Sequence, residues 1–252
     1  MISHIDKLAT PLSHVQWIIA AIAAFTIGIS KTGFAGAGIL VVAMFAHILP
    51  VKASTGTVLP LLIAGDIFAV LVYRRHASWP HLARMFPWAA LGIVIGQFTL
   101  GRLDDGQVSR LIGGILVVLV IVQLTKMGPD KEERVPSRYY APAMGLAAGF
   151  ATMVANAAGP IMLIYLLAVG LPKLEFIGTG AWFFLVINLF KLPFSAHLGL
   201  ITEPSLAFDL LLVPLTILGA ACGRWLVTFV NQKNFAYLAL AMAFVGGVHM
   251  IL

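Results

Sequence analysis

The stretch Ser30-Lys31-Thr32-Gly33-Phe34-Ala35-Gly36-Ala37-Gly38 sets one cation, two hydroxyls and three glycines between apolar runs. The flanking runs, Val15–Ile29 and Ala35–Leu49, are each about fifteen residues, or ~22 Å as helix, short of a hydrocarbon core of ~30 Å. A second break, Ala155-Asn156-Ala157-Ala158-Gly159-Pro160, opens the other half of the chain between Tyr140–Met153 and Ile161–Gly170. Interrupted hydrophobic segments at matching places in two halves of a membrane chain point to a transport site built from discontinuous helices.

The remainder of the chain supports that setting. Hydrophobic residues make up 60% and charged residues 10%, with a mean hydropathy of +0.99, whereas a soluble domain carries about a quarter charged residues. Apolar runs recur from end to end: Val58–Tyr73, Met85–Leu100, Leu111–Leu124, Trp182–Phe194, Leu206–Leu218 and Ala236–Leu252. They are apolar on every side, unlike the alternating strands of a membrane β-barrel. The expected class is an all-α, multi-pass membrane protein with the lipid bilayer as its first partner. Residues 1–14 form a polar lead with His4, Asp6, Lys7 and Pro11; it lacks the basic start of a cleavable signal and is expected to be retained. Sixteen Lys and Arg face ten Asp and Glu. No basic tract with interleaved aromatics is present, which argues against nucleic acid, and topogenic loops account for the excess. Cys222 alone can form neither an internal disulfide nor a metal site, and no cofactor is implied.

The halves repeat each other. Leu49-Pro50, Gly56-Thr57 and Phe68 recur as Leu171-Pro172, Gly178-Thr179 and Phe190 at one constant offset. Pro87, Leu91, Gly92, Gly96 and Leu111 recur as Pro214, Leu218, Gly219, Gly223 and Leu238 at a second, the extra residues falling in 195–204. The expected organisation is a first membrane repeat over 15–125, a charged cytoplasmic linker over 126–139 and a second repeat over 140–252. Each repeat opens with a broken pair of segments, either a re-entrant hairpin or two tilted spans. Both options give an odd number of crossings, so the repeats insert with inverted topology. Loop charge agrees: Arg74, Arg75 and Arg84 follow the third segment, whereas the equivalent loop 196–205 has no Lys or Arg and holds Glu203.

Lys31 beside glycines, inside hydrocarbon, needs a cavity or a partner. With the Ser30 and Thr32 hydroxyls, backbone amides at Gly33 and Gly36 and the positive end of a helix starting near Gly36, it composes an anion site. Asn156 can cap the following helix or act as ligand, Gly159 exposes backbone, and Pro160 suits a first helical turn. Asp66 and its repeat mate Asn188 lie in deeply apolar places and read as two sides of one site, Asp66 being a candidate proton carrier or the ion-pair partner of Lys31. Lys191, almost a turn beyond Asn188, points the same way. The glycines also suit close helix packing, and Lys31 could instead snorkel to the interface. Arg224, His47 and His197 read as interface residues. Gly28–Thr32 superficially matches a phosphate-binding loop, but Ser30 stands where that motif needs glycine.

At these residues the chain resembles the sulfite/sulfonate exporter family TauE/SafE. The resemblance lies in Lys31–Gly38, the Leu49-Pro50 and Leu171-Pro172 turns, the 155–160 break and the paired halves, and it spans nearly all 252 residues. It implies a transporter of small sulfur-containing organic or inorganic anions in the bacterial cytoplasmic membrane and does not fix the direction; with no nucleotide motif in the chain, the expectation is secondary transport, in export, driven by an ion gradient, by alternating access. On that reading Lys31, Thr32, Gly33, Gly36, Asn156, Gly159, Asn188 and Lys191 bind the anion and Asp66 couples. A passive anion channel and a membrane assembly factor without transport remain alternatives, and a homo-oligomer stays open. An intramembrane enzyme is disfavoured, since the histidines are scattered and Cys222 has no base nearby.

Overall fold

The computed structural model describes residues 12–32, 37–126 and 138–226, with positions 241, 244–245, 248 and 251–252. Among these residues the chain is helical, with no strand: α1 (His14–Thr32), α2 (Gly38–Ile48), α3 (Val51–Thr57), α4 (Leu59–Tyr73), α5 (Trp79–Arg102), α6 (Asp105–Lys126), α7 (Tyr140–Ala155), α8 (Ala158–Ala168), α9 (Lys173–His197) and α10 (Glu203–Leu226). Six stretches of the described residues are long and apolar enough to cross a membrane: α1, Val51–His76, α5, Asp105–Val122, Leu174–His197 and α10. The chain is a multi-pass membrane protein. Leu71, Leu210, Leu211 and Trp225 lie exposed on its outer surface, as lipid-facing residues must.

Two sequence expectations change here. The first segment is not too short: α1 has 19 residues, ~28 Å of helix, because Ser30, Lys31 and Thr32 form its last turn instead of belonging to the break. The second helix is described from Gly38, and its Ala37 cap makes no side-chain hydrogen bond. The third segment is two helices, α3 and α4, parted at Val58, with Pro60 in the first turn of α4 where its missing N–H is harmless. Gly33 and Gly36 lie outside the described residues, as do most of the 1–14 lead, the 126–139 linker and the final 235–252 segment.

Close contacts fix the helix directions. α1 runs alongside α10 in the same sense, Trp17 meeting Phe208, Phe25 meeting Gly219 and Ile29 meeting Gly223. α7 accompanies α5 likewise, Gly145 at Met85, Gly149 at Ala89 and Met153 at Gly96. α9 runs against α4, with Gly178 at Tyr73 and His76, Asn188 at Asp66, and Leu200 beyond its end at Gly56. Ser78 and Leu198 lie by Thr179 and Gly101, so α9 and α5 share a direction. Gly65 lies at Ile27 and Thr216, and Tyr73 at Thr32, so α4 runs with α1 and α10, and this set opposes the other, α5, α7 and α9.

The pairs α1–α10 and α5–α7 make the most extensive contacts in the bundle. Glycine permits both. A methyl at Gly219 would strike the Phe25 carbonyl, and one at Gly149 the Ala89 carbonyl. Without a hydrophobic force between helices in lipid, such close backbone approach supplies the packing that associates them.

Gly219→Ala and Gly149→Ala are therefore expected to lower stability by about 1–3 kcal/mol each, since overpacking forces backbone to move. Gly114→Ala, on α6 with none of the described residues within 4 Å of the added carbon, is the control and should be neutral or stabilising. Thermal unfolding of the detergent-purified variants checks both.

Candidate functional site

The two breaks meet. Ser30 and Lys31 from the end of α1, Gly38 from the start of α2, Ser54 and Thr55 from α3, Thr152 and Asn156 from the end of α7, Gly159 from α8, and Phe184 and Asn188 from α9 line one cavity. Its volume is about 50 Å³, on the measure by which one water needs ~10–15 Å³; that suits a few waters or one small anion.

Asp66, midway along α4, does not itself line the cavity but is buried behind Lys31 and Asn188, which do. Its Oδ1 lies 2.8 Å from Lys31 Nζ, and its Oδ2 accepts a 2.6 Å hydrogen bond from Asn188 Nδ2. The acid–amide relation read from the duplication is thus a direct contact between α4 and α9. The Lys31 ammonium also lies 4.5 Å over the Phe184 ring, a cation–π contact that adds to the pair in a desolvated place. Lys31 does not snorkel: its side chain is only 9% exposed and that of Asp66 only 1%. Asn188 Oδ1 is buried with no donor among the described residues.

Asn156 has a different job from capping the helix after it. It ends α7 in the left-handed region, at φ 53° and ψ 27°, which asparagine tolerates better than other branched or bulky residues. Its side chain donates to the Thr55 carbonyl at 2.9 Å and accepts from Lys191 Nζ. Lys191 is fully buried and gives a second hydrogen bond, 3.0 Å, to the Thr152 carbonyl. It holds the end of α7 in place from behind the cavity wall.

Thr32 is not brought to the cavity. Its hydroxyl donates to the Ala220 carbonyl of α10 at 2.8 Å, and the residue is fully buried at that interface. Ser30, Ser54 and Thr55 reach the wall, but each hydroxyl bonds to a carbonyl three residues back in its own helix. The positive donors toward a solute are then Lys31 and the backbone at the starts of α2 and α8, where helix N-termini favour negative charge. Sequence reasoning missed Ser54, Thr55, Thr152 and Phe184. The polar run Ser54-Thr55-Gly56-Thr57 was the available signal; nothing local marked Phe184. Arg224, His47 and His197 are exposed. Among the described residues no three His, Cys, Asp or Glu side chains gather as metal ligands.

The profile of the family described as "Sulfite exporter TauE/SafE" matches residues 18–250. The chain belongs to the TauE/SafE family. The matched region runs from α1 past α10, so both breaks and the cavity between them lie within it. TauE/SafE is a family of membrane transporters, which sets a transport cavity rather than a catalytic one as the frame for Lys31 and Asp66. A comparison with curated proteins finds no match.

Removing one partner of a buried pair strands the other charge, at about 3–5 kcal/mol, whereas removing both is often near neutral. Asp66→Ala should therefore be strongly destabilising and Lys31→Met/Asp66→Ala markedly less so. Unfolding of both variants in detergent checks this; equal losses would mean the pair is not formed.

Proposed function

We propose that the chain is a secondary transporter exporting small sulfur-containing anions, sulfite or organic sulfonates, across the bacterial cytoplasmic membrane, coupled to an ion gradient. The observation that carries this reading is the Lys31 ammonium in the cavity wall, held by a carboxylate it does not own alone. A sulfur oxyanion at the starts of α2 and α8 competes with Asp66 for that ammonium. When it wins, Asp66 is left with Asn188 as its remaining partner and becomes free to accept a proton. Binding of the anion and protonation of Asp66 are thereby linked, so a proton leaves with the anion and the anion's own outward gradient drives the pair.

The repeats 15–125 and 140–252 are proposed to be inverted and to rock against each other. Three observations support this. α1 and α7, the first helices of the repeats, run in opposite directions. Each packs on the fourth long segment of the other repeat, α1 on α10 and α7 on α5, through glycines that match in the duplication (Gly219 with Gly92, Gly223 with Gly96). Arg74, Arg75, Arg84 and Arg224 are exposed, the first two at the end of α4 and the last at the end of α10; those helices share a direction, which makes this the cytoplasmic end. A second cavity, lined by Phe176, Leu163 and Met162 among others, shares Ser30, Lys31, Gly159 and Phe184 with the first. A common wall between two cavities suits alternating access better than an open channel.

In proteoliposomes, Lys31→Gln is expected to raise the KM for sulfite counterflow roughly ten- to hundredfold, the worth of one charge-assisted hydrogen bond of about 1.5–3 kcal/mol. Unchanged KM would remove Lys31 from the site. Asp66→Asn should keep counterflow and lose the pH dependence of net transport, measured as initial rates between pH 5 and 8, a window spanning the usual titration of coupling groups. A pH profile like that of the unmodified protein would rule out coupling at Asp66.

A further inference from the structure

α10 carries an acid that the site above does not use. Asp209 is 2% exposed, and neither of its carboxylate oxygens has a hydrogen-bond partner among the described residues. It shares the buried face of α10 with Ser205, Leu212 and Thr216. Among the described residues the helices packed most closely against α10 are α1, α3 and α4, and none of their titratable groups is hydrogen-bonded to Asp209. Lys31 pairs with Asp66, Lys52 bonds to the Leu103 carbonyl, Tyr73 bonds to the Thr32 carbonyl, and His14 is exposed at the start of α1. On α10 itself Glu203 and Arg224 are exposed near the two ends.

Packing does not require an acid at this place. The offset that carries Pro87 to Pro214 and Gly92 to Gly219 carries Leu82 to Asp209. Leu82 is fully buried on α5, which packs on α7 much as α10 packs on α1. One repeat therefore fills the position with plain hydrocarbon. A lone carboxylate there would carry an uncompensated charge in low dielectric, so the stable occupant is the neutral acid.

Its position also suits transfer. Asp209 lies six residues into α10, ~9 Å from its start, and Thr216 is ~10 Å further along the same face. Thr216 sits against Gly65, beside Asp66, and its own hydroxyl is buried without a partner among the described residues. Thr57, at the end of α3, which packs against α10, is a second buried hydroxyl in that condition.

We propose that Asp209 is a proton-binding site within the membrane, a way-station between the Glu203 end of α10 and the Lys31–Asp66 pair. The neutral carboxyl gives up its one proton toward Asp66 when the anion draws Lys31 away, and it is refilled from the Glu203 end. The inference rests on the transport reading for its consequence, but the presence of the proton does not.

Two readouts separate them. The first is infrared difference spectroscopy of the purified protein, which reports a protonated-carboxyl C=O stretch. The second is sulfite transport in proteoliposomes, as counterflow and as net flux driven by an imposed pH gradient. Asp209→Asn is expected to lose the stretch seen at neutral pH, to keep counterflow within about twofold, and to lose about tenfold or more of the pH-driven flux, the size of a typical coupling term. Asp209→Glu should restore both, and Asp209→Leu, which copies the other repeat, should fold normally. An unaltered infrared spectrum in Asp209→Asn overturns the proposal, as does pH-driven flux equal to that of the unmodified protein, or flux that follows a sodium gradient at constant pH. Absence of counterflow in the unmodified protein rejects the transport reading instead, and the infrared band still decides Asp209.

Discussion

One carboxylate inside the bilayer, Asp66, is shared between a cation from α1 and an amide from α9, and the interior is organised around that sharing. An ammonium in hydrocarbon costs several kcal/mol unless a partner or a cavity receives it. Here it has both, because Lys31 contacts Asp66 and also lines open space. The arrangement joins the two halves of the chain through α4 and α9 without locking them, since hydrogen bonds and an ion pair can be exchanged for those of a solute. Lys191, by contrast, lines neither of the two cavities described. Its two bonds, to Thr152 and Asn156, brace backbone.

Much of this frame is legible in the residues. The class follows from hydropathy alone. The matched glycines of the duplication, Gly92 with Gly219 and Gly96 with Gly223, turn out to be the points where helices touch backbone to backbone. The Asp66–Asn188 relation is readable because both lie at one offset in apolar surroundings. What escapes is direction. Whether Thr32 faces a cavity or a neighbouring helix depends on how far α1 continues before it breaks, and its helix runs a full turn beyond the last apolar residue. Asn156 looks like a cap for α8 because asparagine favours both caps and left-handed turns; only the fold decides which. Phe184 sits in a run of aromatics and aliphatics where no local feature separates a wall residue from a core one.

The hydroxyls of the cavity teach a related lesson. A sequence rich in serine and threonine beside a lysine suggests a ring of donors, yet Ser30, Ser54 and Thr55 spend theirs on carbonyls of their own helices. Such back-bonding is the ordinary state of these residues in apolar helices. On the transport reading proposed above, it leaves recognition to charge and to helix ends, a coarse filter that selects for sign and size before chemical detail.

The interleaved partnership of α1 with α10 and of α5 with α7 bears on how the protein is made. Neither half holds the helix that its own notched surface fits, so the amino-terminal portion leaves the translocon with two glycine-lined grooves still vacant. The groove of α5 is filled once α7 is made, about thirty residues after α6 ends, but that of α1 only with α10, about a hundred residues on, which at ~5–20 residues per second is a wait of several seconds or more. Assembly is thus bound to the pace of the ribosome, and a chain truncated before α10 has no way to complete itself.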